Sequence, residues 1–112
     1  MIKSQLIDKL AQRMTQKFPH LEHKDVTEGV NTILRHMSDA LIKKERIEIR
    51  DFGCFIVKYR PARNAHNPRT GTKVSVPPKY TPRFKAGKGM RERVNNSRHL
   101  PIKEVRHDED DD

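Results

Sequence analysis

The apolar positions of the chain change their period at two places. Leu6, Ile7, Leu10 and Met14 recur at helical spacing, with Ala11 beside them and Lys3, Asp8, Lys9, Gln12 and Arg13 on the other side. This predicts an amphipathic helix over residues 3–15. Ser4 is its expected N-cap, because its hydroxyl can accept from the free amides of the first turn. The segment Lys17 to Leu21 breaks the period at Pro19, which disfavours helical geometry in Phe18 before it, and is predicted as a loop. From Lys24 the helical period returns, and Val26, Val30, Ile33, Leu34, Met37, Ala40 and Leu41 make one wide apolar stripe. Asp25 falls in the first turn of that helix and Lys43 and Lys44 at its end, placements that suit the helix dipole. Gly29 in its interior costs about 1 kcal/mol relative to alanine; it either admits a close neighbour or is simply tolerated.

At Arg46 the period drops to two. Ile47 and Ile49 face one side of a strand while Arg46, Glu48 and Arg50 face the other. A turn is expected at Asp51 to Gly53, then a second strand in which Phe55, Val57 and Tyr59 alternate with Ile56, Lys58 and Arg60. The apolar face of this hairpin is expected against the helices. Beyond Arg60 the pattern is no longer that of a core. Asn67, Pro68, Arg69, Thr70 and Gly71 form a strong turn signal, since proline presets φ and glycine accepts a positive φ. Val74 and Val76 alternate on a return strand, and Pro77, Pro78 and Pro82 fit only a strand with an open edge. Lys79 to Lys85 returns to the base, and Gly87 to Val94 reads as a short basic helix whose glycine amides, Gly87 to Gly89, could hold a phosphate.

Composition turns this pattern towards a partner. From Phe52 to Arg91 there are ten Lys or Arg residues, no Asp or Glu and five prolines, so the stretch cannot bury enough apolar surface to order itself as a core. The formal charge of the 112-residue chain is +9 even though it ends in the acidic run Asp108 to Asp112, so the body before that run is more basic still. Such a balance calls for a polyanion, most economically nucleic acid. Hydrophobic residues are only 33% and tryptophan is absent, so one copy buries a modest core and a second chain is the expected supplement. Cys54, between Phe52 and Phe55, cannot form an intrachain disulfide and reads as a small buried side chain.

Other classes find little support. No apolar run is long enough for a membrane span and the first residues lack the apolar stretch of a signal peptide, so an intracellular protein with no membrane partner is expected. The six histidines are scattered, and His20 and His23 have no third ligand beside them. No catalytic residues, metal, cofactor or small-molecule substrate are therefore expected, and the chain is read as no enzyme.

The strings ERIEIRDFGCF (Glu45 to Phe55), NPRTG (Asn67 to Gly71) and KYTPRFKAGKGMRERVN (Lys79 to Asn95) occur in order, and the chain over residues 1–95 resembles the HU and integration host factor family of bacterial DNA-bending proteins. The ERIEIR string is most similar to beta-type integration host factor subunits. The resemblance implies an α+β fold: two N-terminal helices forming an intertwined dimer base, a three-stranded antiparallel sheet with a long β-ribbon arm at about residues 60–80, and a short C-terminal helix. Residues 96–112 are expected to be a disordered tail. It also implies double-stranded DNA as partner, bending of the duplex, a homodimer or a heterodimer with a related alpha-type subunit, and a place in the cytoplasm on the bacterial nucleoid.

Residue roles follow from the same resemblance. On turn chemistry alone Pro68 is only a turn former; the resemblance makes it a wedge that intercalates between base pairs from the minor groove. Arg60, Arg63, Arg69 and Lys73 would follow the groove with Asn67 and His66, while Lys79, Arg83, Lys85 and Lys88 would lie on flanking phosphates. Arg50 would be a sequence-selective groove contact held by Glu48, with Arg46 nearby; an exposed ion pair is the plain alternative for Glu48 and Arg50. Asp51 stands where the motif has glycine, and His66 where an arm arginine is usual. An HU-like, largely non-specific homodimer is an alternative within the family. An RNA-binding or protein-interaction module is the alternative outside it. The acidic tail is either a solubiliser or a competitor for the DNA-binding surface.

Overall fold

The computed structural model describes residues 1–103, so the acidic run Asp108–Asp112 lies outside the described residues. The chain divides into two compact units, one ending at Ile42 and the other beginning at Lys43.

The first unit is a helical hairpin. Helix α1 spans Lys3–Lys17 and α2 spans His23–Ile42. Ser4 is not the N-cap of α1: Ile2 takes that position, and the Gln5 side chain reaches back to accept from the Ile2 N–H at 3.1 Å, which leaves Ser4 inside the first turn. Phe18 has left helical geometry (φ −130°, ψ 85°), as the proline after it requires. Asp25 sits in the first turn of α2 and its carboxylate accepts from the Glu22 N–H at 2.9 Å, the same reach-back device. The α2 helix stops at Ile42, so Lys43 and Lys44 lie just past its end rather than in its last turn; Lys44 has the left-handed φ of 66° that ends many helices.

The core of this unit is four buried residues, Ile7 and Ala11 from α1 and Val26 and Val30 from α2, with Met14 and Leu21 packed against them. Polar contacts flank it, Lys3 Nζ to Asn31 Oδ1 at 3.0 Å and His23 Nε2 to Asp8 Oδ1 at 2.9 Å. The α2 stripe continues beyond Val30, but there Ile33 is 61% exposed and Leu34 43%. A Cβ added at Gly29 would meet nothing within 4 Å, so within one chain that glycine is not required by packing.

The second unit is built on a three-stranded antiparallel sheet in the order β1–β2–β5, from β1 Ile47–Ile49, β2 Gly53–Arg60 and β5 Lys79–Ala86. Between β2 and β5 the chain makes a two-stranded ribbon, β3 Arg63–His66 with β4 Lys73–Val76. Helix α3, Lys88–Asn96, follows β5. It runs past the expected Val94 to Asn96, and hydrogen-bonded turns continue to Leu100, whose N–H bonds to the Ser97 carbonyl at 2.9 Å.

The β2–β5 register pairs Phe55 with Phe84 and Tyr59 with Tyr80, placing an aromatic ladder on one face of the sheet. Ring centroids lie 4.9 Å apart for Phe55 and Phe84, 5.2 Å for Phe52 and Phe84, and 5.0 Å for Tyr59 and Tyr80, all tilted. Lys44 Nζ stands 4.7 Å from the centre of the Tyr80 ring. Gly53 makes this packing possible: a Cβ there would lie 2.5 Å from the Lys85 carbonyl oxygen and 2.8 Å from the Phe84 ring.

Candidate nucleic-acid interface

Alternation along β2 and β5 puts the basic residues on the face opposite the aromatic ladder. Lys58 and Arg60 on β2 share that face with Lys79, Arg83 and Lys85 on β5, through the pairs Lys58 with Thr81, Arg60 with Lys79, Ile56 with Arg83 and Cys54 with Lys85. Lys58, which was not among the sequence-predicted contacts, belongs to this set because it lies two residues before Arg60 on one strand. Pro82 is accommodated on β5, the edge strand of the sheet.

The ribbon carries charge off this sheet on two faces. His66 pairs directly with Lys73 and Asn64 with Ser75, whereas Arg63 shares the other face with Ala65, Val74 and Val76. At its tip the Gly71 N–H bonds the Asn67 carbonyl at 2.7 Å and the Asn67 N–H bonds the Thr72 carbonyl at 2.9 Å. Asn67 Oδ1 accepts from the Arg69 N–H at 2.9 Å, an Asx-turn that spans Pro68. Gly71 takes φ 69°, the positive value expected of it. Pro68 and Arg69 are exposed at the end of this closed loop.

Sheet and ribbon are not one continuous ladder. Pairing stops after Arg60 with Lys79 and resumes at Arg63 with Val76, and the residues between are Pro61 and Ala62 on one side and Pro77 and Pro78 on the other. Three prolines among four facing residues remove three backbone donors, which explains the gap. Arg60, Arg63 and Lys79 line a 150 Å³ recess over Pro61, Val76 and Pro77 at this break.

A larger cleft, about 670 Å³, opens where the β1–β2 turn meets the start of α3. Arg46, Glu48, Arg50, Asp51, Cys54, Lys85 and Lys88 are among the residues lining it. Arg50 does not continue the strand. The ladder ends at Ile49 with Gly53, and the Phe52 N–H bonds the Ile49 carbonyl at 3.0 Å, leaving Arg50 and Asp51 at the centre of a tight turn. Asp51 has φ 65°, the positive value at the second central position that a type II turn demands and glycine supplies. An L-residue pays roughly 1–2 kcal/mol in that region, less for aspartate when its side chain bonds locally.

Glu48 is paired with Arg46, Nε to Oε1 at 2.9 Å, and not with Arg50 as its spacing suggested. Both partners are exposed, so the pair is worth no more than about 1 kcal/mol and is readily exchanged. The Gly87 amide is already committed to the Phe52 carbonyl at 2.9 Å, which ties α3 to the turn; the free amides facing an anion there would be those of the residues after Gly87. Lys88 reaches Glu92 one turn along at 3.9 Å. Of the sequence-predicted residues, the structure thus gathers Arg46, Glu48, Arg50, Lys85 and Lys88 at the cleft. Arg60, Lys79 and Arg83 lie on the basic sheet face, and Arg63, His66, Asn67, Pro68, Arg69 and Lys73 on the arm.

Known proteins are similar to this chain in sequence and in fold. The chain is 54% identical over 99 residues, 88% of its length and 93% of the relative's, to integration host factor subunit beta of Halorhodospira halophila. It is 55% identical to the subunit of the same name from Azoarcus sp. strain BH72, covering 85% of this chain and 97% of that one. Among solved structures it is similar to Anabaena HU in a cocrystal with DNA (TM-score 0.68, 29% identity, 84% of this chain and 97% of that one). An HU variant from Thermotoga maritima is also similar (TM-score 0.58, 32% identity, covering 84% and 99%). Residues 1–95 match the family described as bacterial DNA-binding protein, and the chain belongs to that family, the one of HU and integration host factor.

Proposed function

We propose that the chain is one subunit of a dimeric architectural DNA-binding protein, of the integration host factor beta type, that lays its β3–β4 ribbon in the minor groove of duplex DNA and bends it. The observation that carries this reading is the closed, exposed Asn67–Thr72 tip on a ribbon whose base is a basic sheet face. Pro68 at that tip is the wedge, a rigid ring that partly unstacks a base step and kinks the duplex. Arg63, His66, Asn67, Arg69 and Lys73 accompany it along the groove. Lys79, Arg83, Lys85 and Lys88, joined by Lys58, hold flanking phosphates; Arg60, expected along the groove, lies on their sheet face and acts with them, and Arg46, Glu48 and Arg50 present a groove contact at the base of the arm. Residues 1–95 form the DNA-binding domain, with the segment from residue 96 as an appendage.

A smooth bend of 40–90° costs about 1–6 kcal/mol, and phosphate contacts with counterion release offset it. Binding and bending are the activity, and the protein is not an enzyme. The names of its relatives and the HU–DNA cocrystal support duplex DNA as the partner. The exposed Ile33 and Leu34 support a second chain, identical or of alpha type, as the cover for the α2 stripe. Among the described residues no helix is long and apolar enough to cross a membrane, and the family supports a place on the bacterial nucleoid in the cytoplasm. The test is energy transfer between dyes at the two ends of a short duplex: saturating protein raises it, and transfer that stays at the free-duplex level rejects the reading. Equal competition by an RNA duplex of the same sequence rejects it too.

A further inference from the structure

The β1–β2 turn holds a carboxylate at a position whose backbone favours glycine. At φ 65° an aspartate is ordinarily accommodated by a hydrogen bond from its own side chain. Among the described residues no hydrogen bond or ion pair engages the Asp51 carboxylate. Asp51 is exposed and lines the same cleft as Arg46, Arg50, Lys85 and Lys88. The other acid there, Glu48, is engaged by Arg46 at 2.9 Å. A solvent-exposed carboxylate that no protein group engages, on a residue held at positive φ, therefore stands next in the chain to Arg50, whose guanidinium is likewise unengaged among the described residues.

Resting on the DNA-bending reading above, we propose that Asp51 is a specificity-determining residue: it turns Arg50 away from phosphate and towards base edges. An arginine at duplex DNA has two kinds of acceptor. Phosphate oxygens carry a full negative charge and no sequence information, whereas the minor-groove acceptors, adenine N3 and thymine O2, carry only partial charge. A carboxylate one residue from the guanidinium repels the first far more than the second. The repulsion falls with distance and is screened over about 8 Å at physiological ionic strength, so it acts on contacts of this cleft and not on those of the distant arm tip. The sequence-independent hold of Arg50 and its neighbours is weakened while groove contact is spared, which is selectivity through a repulsive element.

The two replacements D51N and D51G separate charge from backbone. Asparagine keeps the shape and the tolerance of positive φ without the charge, and glycine removes both charge and strain. The full-length wild-type protein first selects a preferred duplex from a random pool, and all three proteins are then titrated with that duplex and with a scrambled one at low and physiological salt. Both variants are expected to bind the scrambled duplex about three- to tenfold more tightly and the preferred one less than about twofold more tightly, with the difference shrinking as salt rises. An unchanged ratio of the two affinities in D51N overturns the proposal, and so does a change confined to D51G, which would assign the effect to the backbone. Wild-type protein that bends duplexes but selects no sequence overturns it while leaving the DNA-bending reading intact. Failure to bend any duplex removes both.

Discussion

Replacing Gly53 with alanine tests the packing on which the basic face depends. The new Cβ would sit 2.5 Å from the Lys85 carbonyl oxygen and 2.8 Å from two atoms of the Phe84 ring. The ring can tilt, but the carbonyl belongs to the paired strand, and moving it disturbs the Gly53–Ala86 and Cys54–Lys85 register. Overpacking of this kind costs about 1–3 kcal/mol, and the entropy that alanine saves in the unfolded chain returns about 0.4–1 kcal/mol. A contact of 2.5 Å to a backbone atom puts the cost in the upper part of that range, about 2–3 kcal/mol, so the net loss of about 1–2.6 kcal/mol corresponds to a fall of roughly 4–21 °C in Tm for a domain of this size. Thermal unfolding followed by circular dichroism at fixed protein concentration measures it. Gly89→Ala is the internal control, because a Cβ there meets nothing within 4 Å and alanine favours the helix. A Gly53→Ala protein whose Tm matches wild type within about 2 °C would refute the argument that the aromatic ladder requires a glycine at this position.

Other expectations bear on the DNA. Pro68→Ala keeps the Asn67-centred tip and is expected to reduce the bend measured by end-to-end energy transfer more than it reduces affinity; equal bending would make Pro68 a turn former only. Lys58→Ala, on the same sheet face as Arg60, is expected to weaken binding to all sequences alike and lower the slope of log K against log salt by about 1. Arg50→Ala should lower the affinity for a selected sequence by more than that for a scrambled one, at about 1–3 kcal/mol for a lost base contact. Removing Asp108 to Asp112 is expected to tighten binding at low salt, and an unchanged titration would leave those five acids no part in competing with DNA.

Elements with a strong period were legible, and their ends less so. The two helices follow from stripes such as Leu6, Leu10 and Met14, yet the cap of the first was misread because Gln5 reaches back to Ile2 and so moves the helix start ahead of Ser4. Alternation through Ile47, Glu48, Ile49 and Arg50 carried the strand reading one residue too far. What ends the strand is pairing with Gly53, which is set by a ring on β5, remote in sequence. The same event decides the partner of Glu48: Arg46 and Arg50 are each two residues away in sequence, and the turn withdraws one of them. Pro77 and Pro78 read as tolerated on an edge, but only the register shows that they face Pro61 and Ala62. The tip, by contrast, was fully local, because Asn67, Pro68 and Gly71 dictate its geometry within five residues.

That facing block of prolines has a mechanical consequence. A ribbon paired without interruption from Gly53 to the tip would convey the coil of the sheet along its whole length, because twist accumulates from pair to pair. Here Pro61 and Ala62, opposite Pro77 and Pro78, interrupt the backbone pairing between the two ladders. Such a joint transmits tension but little torque. On the proposed DNA-bending reading, the tip can then settle into a groove without dragging the basic sheet face with it, and the helical phase of the DNA at the arm need not match that at the base.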